Sequence, residues 1–384
     1  MNNKLRYYES IILMNLLKIF WIRPLKKNQV LYLSFDGKQV SDSPKYIYKE
    51  LLKRANLSHV WALSHPEKFS NNLNKPNTVT VNRNSFAFIK TFLESKYIVT
   101  NNHVPSYLPI RKNQVLLNTW HGGSPLKTVG FLESHPAPYN KYYFKIQNKK
   151  YSAFISSSDF MTKDVFGRSF HYTGQILPFG MPRNAILFRQ HKDVENKVFK
   201  YYGIENDGIN AIVLYAPTFR GSTSEGSFLP DNQMLDIENT IKSLNKRFDK
   251  KFTLLFRAHH TMKFSLKRPD VLSASDYPDM QELLCAADVL ITDYSSCMGD
   301  MCLMYKPIFL YTPDLGQYMG DRGFYWDIHS LPFPIANDSQ TFCDNIEKFD
   351  ENTYKKDIDN YLRRLGSYEN EKSVNRTVEW LLKQ

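Results

Sequence analysis

Short apolar runs, which are typical of buried β-strands, alternate with longer helix-like stretches along most of the chain. In the first half, the pattern predicts strands over residues 30–35, 59–63, 79–81, 97–100, 115–120, 153–156 and 172–176, and helices over residues 46–57 and 84–95. Strands that alternate with helices form βαβ units, so this half of the chain predicts a parallel sheet.

The alternation begins again after a polar stretch at residues 184–210, which we interpret as a helix and a connector between domains. The second set has predicted strands over residues 211–215, 252–256, 289–292 and 308–311, predicted helices over 234–248 and 280–286, and terminal helices over 357–383. The predicted fold class is therefore α/β. Two doubly wound Rossmann-type domains, at residues 29–200 and 201–384, are expected to face a central cleft, with ligands bound outside the carboxyl ends of the strands.

The length and composition agree with a globular chain of two domains, since the chain has 384 residues and 42% of them are hydrophobic. The cysteines show neither metal-ligand spacing nor a disulfide framework. They are Cys285, Cys297, Cys302 and Cys343. This usage favours a reducing cytoplasm.

The net charge of +12 is concentrated in two segments. Residues 1–54 carry eleven Lys and Arg against four Asp and Glu, and residues 101–150 carry seven against one. A basic surface of this kind suits nucleic acid, anionic lipid or a phosphate-rich substrate. Nucleic acid is disfavoured as a partner, because the sequence contains no zinc-finger spacing, RNP-like aromatic motif or low-complexity basic tail.

The first 28 residues predict a helix that lies on a membrane surface. Residues 11–22 are apolar except for Asn15 and Lys18, and this run is shorter than the roughly 20 residues that a membrane span needs. Basic residues flank it on both sides, at Lys4, Arg6, Arg23, Lys26 and Lys27. We expect a peripheral protein on the cytoplasmic face of an anionic membrane. The alternative is a helix packed on the first domain.

A histidine at the end of a predicted strand is the first candidate for chemistry. The strand over residues 115–120 leads directly into His121, which is followed by Gly122 and Gly123. Glycines allow a ligand to approach the backbone, and a histidine beside them is well placed for proton transfer. The alternative is a turn histidine that only caps the strand.

Three loops of the second half place polar side chains after successive predicted strands. They carry Thr218 and Arg220 after the first strand, Arg257, His259 and His260 after the second, and Asp293, Ser295 and Ser296 after the third. Arginine and histidine bind anions through charge-assisted hydrogen bonds, and hydroxyls at a helix N-terminus form an anion cradle. Together the loops predict a diphosphate site, although each residue alone could be a helix cap, a structural ion pair or a surface group.

Arg183, in the turn after Gly180 and Pro182, is predicted to face the cleft, with an ordinary interdomain turn as the alternative. The nucleotide-binding glycine motifs and the Gly-x-Ser-x-Gly motif are absent from the sequence. His259 and His260 are adjacent in the sequence, and the side chains of neighbouring residues generally point different ways, so the pair does not predict a metal site. We expect neither a metal nor a cofactor.

The ordered set of motifs resembles the CDP-glycerol glycerophosphotransferases of teichoic acid and capsule synthesis, over roughly residues 29–380. The motifs lie at residues 34–38, 41–45, 120–127, 180–184, 215–220, 257–259, 291–300, 306–315 and 322–323. The resemblance implies a GT-B fold. It also implies transfer of glycerol phosphate or ribitol phosphate from a CDP-activated donor to a hydroxyl of a lipid-linked or polymeric acceptor, with release of CMP.

The resemblance also implies roles for individual residues. His121 would be the general base, and Arg257 and His259 would bind and neutralise the diphosphate. The remaining predicted substrate-binding residues are Gly122, Lys127, Arg183, Thr218, Arg220, Ser295, Ser296 and Asp300. Phosphoryl transfer depends on positioning and charge neutralisation, which side chains of these types supply.

Three positions depart from the family pattern and concern donor and acceptor specificity. Residues 121–127 form a motif one residue longer than the usual His-Gly-Thr-Pro-Leu-Lys, His260 replaces a proline, and Ala185 replaces an acidic residue. The short N-terminal segment favours a priming enzyme over a polymerase. Two other functions remain open: a GT-B glycosyltransferase that uses a nucleotide sugar, and a non-catalytic protein that binds a phosphate-rich cell-wall polymer.

Overall fold

A computed structural model describes residues 3–70, 73–134, 136–189, 192–218, 234–257 and 271–384. The strands of this part of the chain are β1 Lys26–Leu33, β2 Ser58–Leu63, β3 Thr78–Asn82, β4 Ser95–Thr100, β5 Val115–Asn118, β6 Ala153–Ile155, β7 Ile176–Leu177, β8 Asn210–Tyr215, β9 Lys251–Phe256, β10 Val271–Ser273, β11 Val289–Thr292, β12 Ile308–Tyr311 and β13 Ile335–Ala336. The α-helices are α1 Asn3–Leu17, α2 Asp42–Arg54, α3 Phe86–Glu94, α4 Asn140–Gln147, α5 Lys192–Tyr201, α6 Ile237–Phe248, α7 Met280–Ala286, α8 Cys297–Met301, α9 Leu315–Arg322, α10 Ser339–Glu347, α11 Glu351–Leu365 and α12 Ser373–Leu382.

The chain forms two compact units. The first unit comprises Met1–Gly123, Val129–Ala185 and Ser367–Gln384, and the second comprises Ser124–Thr128 and Ile186–Gly366. The division differs from the predicted boundary between residues 200 and 201, because α5 belongs to the second unit and α12 to the first.

The first unit is built on a parallel sheet with the described strand order β3-β2-β1-β4-β5-β6-β7. Its central strands are buried on both faces, which explains why they read as continuous apolar runs in the sequence. On one face, Ile47 and Leu51 of α2 share a core with Val378 and Leu381 of α12. The C-terminal helix therefore helps to close the core of the N-terminal unit.

Helix α1 continues into a 3₁₀-helix, Lys18–Ile22, so the predicted N-terminal helix is longer than residues 11–22 and tightens at its end. The Arg111 guanidinium fixes this end to the segment before β5, because it donates hydrogen bonds to the carbonyls of Phe20, Trp21 and Arg23 at 2.6–3.3 Å. None of the described helices is long and apolar enough to cross a membrane.

The second unit contains a parallel sheet whose described strand order is β10-β9-β8-β11-β12-β13. Two parallel sheets with helical connections confirm the predicted α/β class with two Rossmann-type domains. Strands β10 and β13 were not predicted from the sequence, because they are two or three residues long and leave almost no periodic signal.

One predicted strand, over residues 172–176, is largely wrong, since β7 covers only Ile176–Leu177. Tyr172 is buried for a different reason: its ring packs edge-on against Phe154 at a centroid distance of 4.8 Å. An apolar residue buried in a loop gives the same local pattern as a strand.

Candidate active site

His121 lies in the turn that follows β5. Its Nδ1 is 2.8 Å from the backbone carbonyl oxygen of Asn101, the residue that directly follows β4. A carbonyl oxygen only accepts hydrogen bonds, so the proton of the neutral imidazole is on Nδ1 and the lone pair is on Nε2. The backbone therefore selects the tautomer that can accept a proton at Nε2.

The surroundings of His121 keep its imidazole neutral. Burial lowers the pKa of His121 from its ordinary value, and the positive charge of Arg183 acts in the same direction. The hydrogen bond to Asn101 and the negative charge of Asp42 act against this shift. A neutral imidazole with an available lone pair is the form that a general base requires.

Arg183 is buried beneath the backbone of this turn. Its Nη1 donates to Oδ2 of Asp42 at 2.6 Å and to the carbonyl oxygen of His121 at 2.8 Å, and both charged side chains are about 95% buried. The predicted substrate-binding Arg183 is thus held inside the first unit, in direct contact with the backbone of His121.

Strained backbone conformations surround the same turn. Phe35, Asp36, Asp42 and Trp120 all have positive φ angles, between 46° and 59°, although none of them is glycine. The Phe35 ring lies 5.8 Å from the His121 ring, and the Phe35 N–H donates to Oδ1 of Asn101 at 2.8 Å. Such conformations persist only where the surrounding structure enforces them, and they are concentrated at functional sites.

The motif at residues 121–127 is divided between the two units. His121, Gly122 and Gly123 belong to the first unit, whereas Ser124–Thr128 belongs to the second. In the second unit, Lys127 pairs with Phe324 in an antiparallel bridge, and its Nζ lies 5.8 Å from the centre of the Tyr318 ring. The sequence placed His121 and Lys127 in one motif, but the fold assigns them to different units.

The loops after β8 and β11 are joined by Asp293. Both carboxylate oxygens of this buried residue accept the Thr218 N–H, at 2.8 and 3.0 Å. Ser295 and Ser296 are partly buried in the turn that precedes α8. The structure therefore groups three predicted donor-binding hydroxyl residues at the carboxyl edge of the second sheet.

Arg257 follows β9, the strand beside β8. Its Nη1 donates to the carbonyls of Ala274 and Tyr277 at 2.8 and 2.9 Å, which fixes the direction of the guanidinium. Burial lowers the pKa of Arg257, but a guanidinium remains charged in proteins. A fixed, partly buried positive charge at this edge suits the binding of a diphosphate.

Asp300 is buried in α8, where its carboxylate accepts a hydrogen bond from Nε2 of Gln281 in α7 at 3.1 Å. This contact links two helices of the second unit. The predicted site residues Arg220 and His259 lie outside the residues that the structure describes.

Two residues near His121 were not assigned roles from the sequence: Asn101 and Asp42. The position of Asn101 could have been inferred from the sequence, because Asn101 follows β4 just as the His121 turn follows the adjacent strand β5. For Asp42, the only indication in the sequence was its place in the motif at residues 41–45. Its partner Arg183 is 141 residues away, so the sequence alone could not pair them.

The family model for CDP-glycerol:poly(glycerophosphate) glycerophosphotransferase matches residues 15–383. The chain belongs to this family. Membership of the glycerophosphotransferase family confirms the resemblance predicted from the motifs, and it confirms the prediction of a transferase enzyme.

Curated and solved relatives of the glycerophosphotransferase chain agree with this membership. It is 29% identical to the teichoic acid poly(glycerol phosphate) polymerase of Staphylococcus epidermidis, over 91% of this chain and 50% of that protein. It is 28% identical to the teichoic acid glycerol-phosphate transferase of Staphylococcus aureus, over 93% of each chain. The chain thus spans about half of the first relative and nearly all of the second.

Among solved structures, the wall teichoic acid polymerase TagF superposes with a TM-score of 0.80 at 26% identity, over 99% of this chain and 96% of that one. This match confirms the predicted GT-B-like fold.

Proposed function

We propose that the chain transfers glycerol phosphate or ribitol phosphate from CDP-glycerol or CDP-ribitol to a hydroxyl of a lipid-linked or polymeric acceptor in teichoic acid synthesis. The observation that carries the proposal is the neutral His121, whose tautomer leaves Nε2 able to accept a proton, in a chain of the glycerophosphotransferase family. His121 would supply the base, and the polar groups after β8, β9 and β11 would bind the donor.

In the proposed reaction, Nε2 of His121 accepts the proton of the acceptor hydroxyl as its oxygen attacks the β-phosphorus of the donor. The bond from this phosphorus to the bridging oxygen breaks, and CMP leaves with that oxygen. Arg257 would neutralise charge on the diphosphate, and Thr218, Ser295 and Ser296 would donate hydrogen bonds to it. His259 and Arg220 are proposed to assist on the basis of the motif alone.

The test is CMP release from CDP-glycerol and CDP-ribitol, measured in parallel with nucleotide release from UDP-sugars and with a lipid-linked acceptor. We expect acceptor-dependent release of CMP from one CDP-polyol, at least about tenfold faster than release from any UDP-sugar, because a polar site rejects a donor that leaves its groups unpaired. Release from a UDP-sugar alone would instead establish the glycosyltransferase alternative. No release from any donor, with a demonstrably competent acceptor, would favour a binding protein.

We further propose that α1 and the following 3₁₀-helix rest on an anionic membrane surface. Tyr7 of α1 faces α4, where its ring contacts Tyr142 at a centroid distance of 5.3 Å. Large apolar side chains on the N-terminal helices remain 46–91% exposed: Leu5, Tyr8, Ile12, Leu13, Leu16, Ile19 and Ile22. Most of them are spaced three or four residues apart, which places them on one face. The basic flanking residues make this face complementary to anionic lipid.

The variant Ile12→Asp/Leu16→Asp is expected to lower the partition onto vesicles that contain about 30% phosphatidylglycerol by at least about tenfold. Each buried aliphatic side chain stabilises such binding by roughly 1.5–3 kcal/mol. Vesicle sedimentation measures the partition, and Ile209→Asp is the matched control, because Ile209 is 64% exposed in the second unit. Equal partition of the double variant and the wild type would contradict the membrane role of this face.

A further inference from the structure

The ion pair between Asp42 and Arg183 is among the most buried in the described part of the chain, with side chains only 4% and 6% exposed. Both ends are fixed by further contacts. The Ser43 N–H donates to Oδ1 of Asp42, and the Arg183 N–H donates to Oγ of Ser43 at 3.3 Å. The pair therefore connects the start of α2 to the turn after β7 through backbone and side-chain contacts.

Stability alone does not account for such a pair. The free energy lost when two charges are removed from water offsets much of the free energy gained from their attraction. Well-packed apolar residues therefore often replace a buried ion pair without loss of stability. The conformation of Asp42, with φ at 59°, adds a further cost for a residue that is not glycine. A role other than stability is therefore indicated at this place in the fold.

The feature that distinguishes the pair is its contact with His121. Nη1 of Arg183 is shared between the Asp42 carboxylate, at 2.6 Å, and the carbonyl oxygen of His121, at 2.8 Å. A second backbone contact fixes the imidazole itself, since the Nδ1–H of His121 donates to the carbonyl oxygen of Asn101. The base is thus fixed at its main chain by the ion pair and at its ring by Asn101.

We infer that Asp42 and Arg183 are positioning residues for His121, which fix its backbone and keep the net charge beside its imidazole at zero. The inference rests on the proposed function of His121 as the general base. In this inference Arg183 acts by positioning His121, and it does not contact the substrate directly.

The charge balance around His121 can be specified. Among the described residues of the first unit, the ionisable groups that act on His121 are Asp42, Arg183 and His103. Burial lowers the pKa of His103 to about 3, so it is neutral at the pH of the reaction. Asp42 and Arg183 are then the two charges that remain, and they have opposite signs.

Removing either charge should therefore change the pKa of His121 in opposite directions. Asp42→Asn leaves the Arg183 cation alone and is expected to lower the pKa of His121 by about one unit. Arg183→Gln leaves the Asp42 carboxylate alone and is expected to raise it by a similar amount. The double variant Asp42→Asn/Arg183→Gln is expected to return the pKa to within about half a unit of the wild-type value.

The pKa of His121 is measured directly by NMR titration of ¹³C-labelled histidine rings, with the His121 signal assigned from a His121→Ala sample. This measurement does not require turnover, so it tests the inference even if the donor assays overturn the proposed function. The matched control is Asp164→Asn, which removes an ion pair of similar length, 2.7 Å, on the surface of the same unit. It is expected to leave the pKa of His121 unchanged.

If the enzyme turns over, the apparent pKa on the acid side of the kcat/KM pH profile should shift in each variant by the same amount as the His121 pKa measured by NMR. The double variant leaves no buried charge unpaired, so it keeps the inference testable if a single variant does not fold. In the double variant, kcat should fall at least about tenfold with little change in KM for the CDP-polyol, because the His121 carbonyl loses the hydrogen bond that Arg183 donates to it. Shifts of the same sign in both single variants, no shift in either, or a wild-type kcat in the double variant would overturn the inference.

Discussion

Replacing His121 with alanine is expected to lower kcat for acceptor-dependent CMP release by about 10²–10⁴-fold, the contribution typical of a general base. The substitution removes Nε2, the atom that the Asn101 contact leaves able to accept the proton. KM for the CDP-polyol should change little, because the proposed donor-binding groups lie in the second unit. Single-turnover CMP release at saturating donor measures the chemical step.

The matched control is His65→Ala, because His65 is an exposed histidine of the same unit, with 63% of its side chain accessible. It should retain wild-type turnover. A His121→Ala enzyme with more than about a tenth of wild-type kcat would show that another group accepts the proton. An unchanged kcat with a raised KM would instead assign His121 to substrate binding.

Much of the fold could be predicted because many buried strands are bounded by polar residues. The predicted strands over residues 289–292 and 308–311 agree with β11 and β12 to the residue, and so does the predicted helix over residues 280–286 with α7. The return of α12 to the first unit could not be predicted. Its packing on α2 depends on contacts between the two ends of the chain, which local periodicity does not record.

The site could be predicted in part for a similar reason. His121 follows β5, a strand that the apolar pattern of the sequence predicts, and Asn101 follows the adjacent strand β4. Because the two strands are parallel neighbours in the sheet, the residues after them lie close together. The tautomer of His121 depends on a backbone carbonyl, and every residue type provides one, so no sequence pattern reveals it. The Asp42–Arg183 pair spans 141 residues and required the three-dimensional structure.

The lengthened motif at residues 121–127 illustrates a further limit of sequence interpretation. The sequence shows one extra residue between His121 and Lys127, but it does not show which unit each of them joins. In the fold, Ser124 belongs to the second unit, where its Oγ lies 2.6 Å from the Tyr361 hydroxyl. The Ser124 side chain also packs closely on Gly299, since a Cβ atom added at Gly299 would lie only 2.6 Å from the Cβ of Ser124. Gly123 is therefore the last residue of the motif in the first unit, and Lys127 belongs to the second unit.

Two buried histidines other than His121 make the stability of the first unit depend on pH. His59 accepts or donates a hydrogen bond with the Tyr32 hydroxyl at 2.9 Å, and burial lowers its pKa to about 4. His103 contacts the Tyr151 hydroxyl at 2.6 Å, and burial lowers its pKa to about 3. Both are neutral in the folded chain at pH values where an unfolded histidine, with a pKa near 6.5, binds a proton.

Between about pH 6.5 and pH 4 the unfolded chain therefore binds more protons than the folded chain, and the free energy of unfolding falls as the pH falls. The slope is at most about 1.4 kcal/mol per pH unit for each histidine, so acidification from pH 7 to pH 4.5 is expected to lower the free energy of unfolding by about 2.5 kcal/mol at each site. His103→Gln should remove one such contribution while keeping a side chain that can hydrogen-bond with Tyr151. Urea unfolding at several pH values, followed by near-UV circular dichroism, measures the slope, and His329→Gln, at an exposed position, should leave it unchanged. An equal acid slope in wild type and His103→Gln would show that His103 is not kept neutral by the fold, and the loss of stability would then have to come from groups that both chains share.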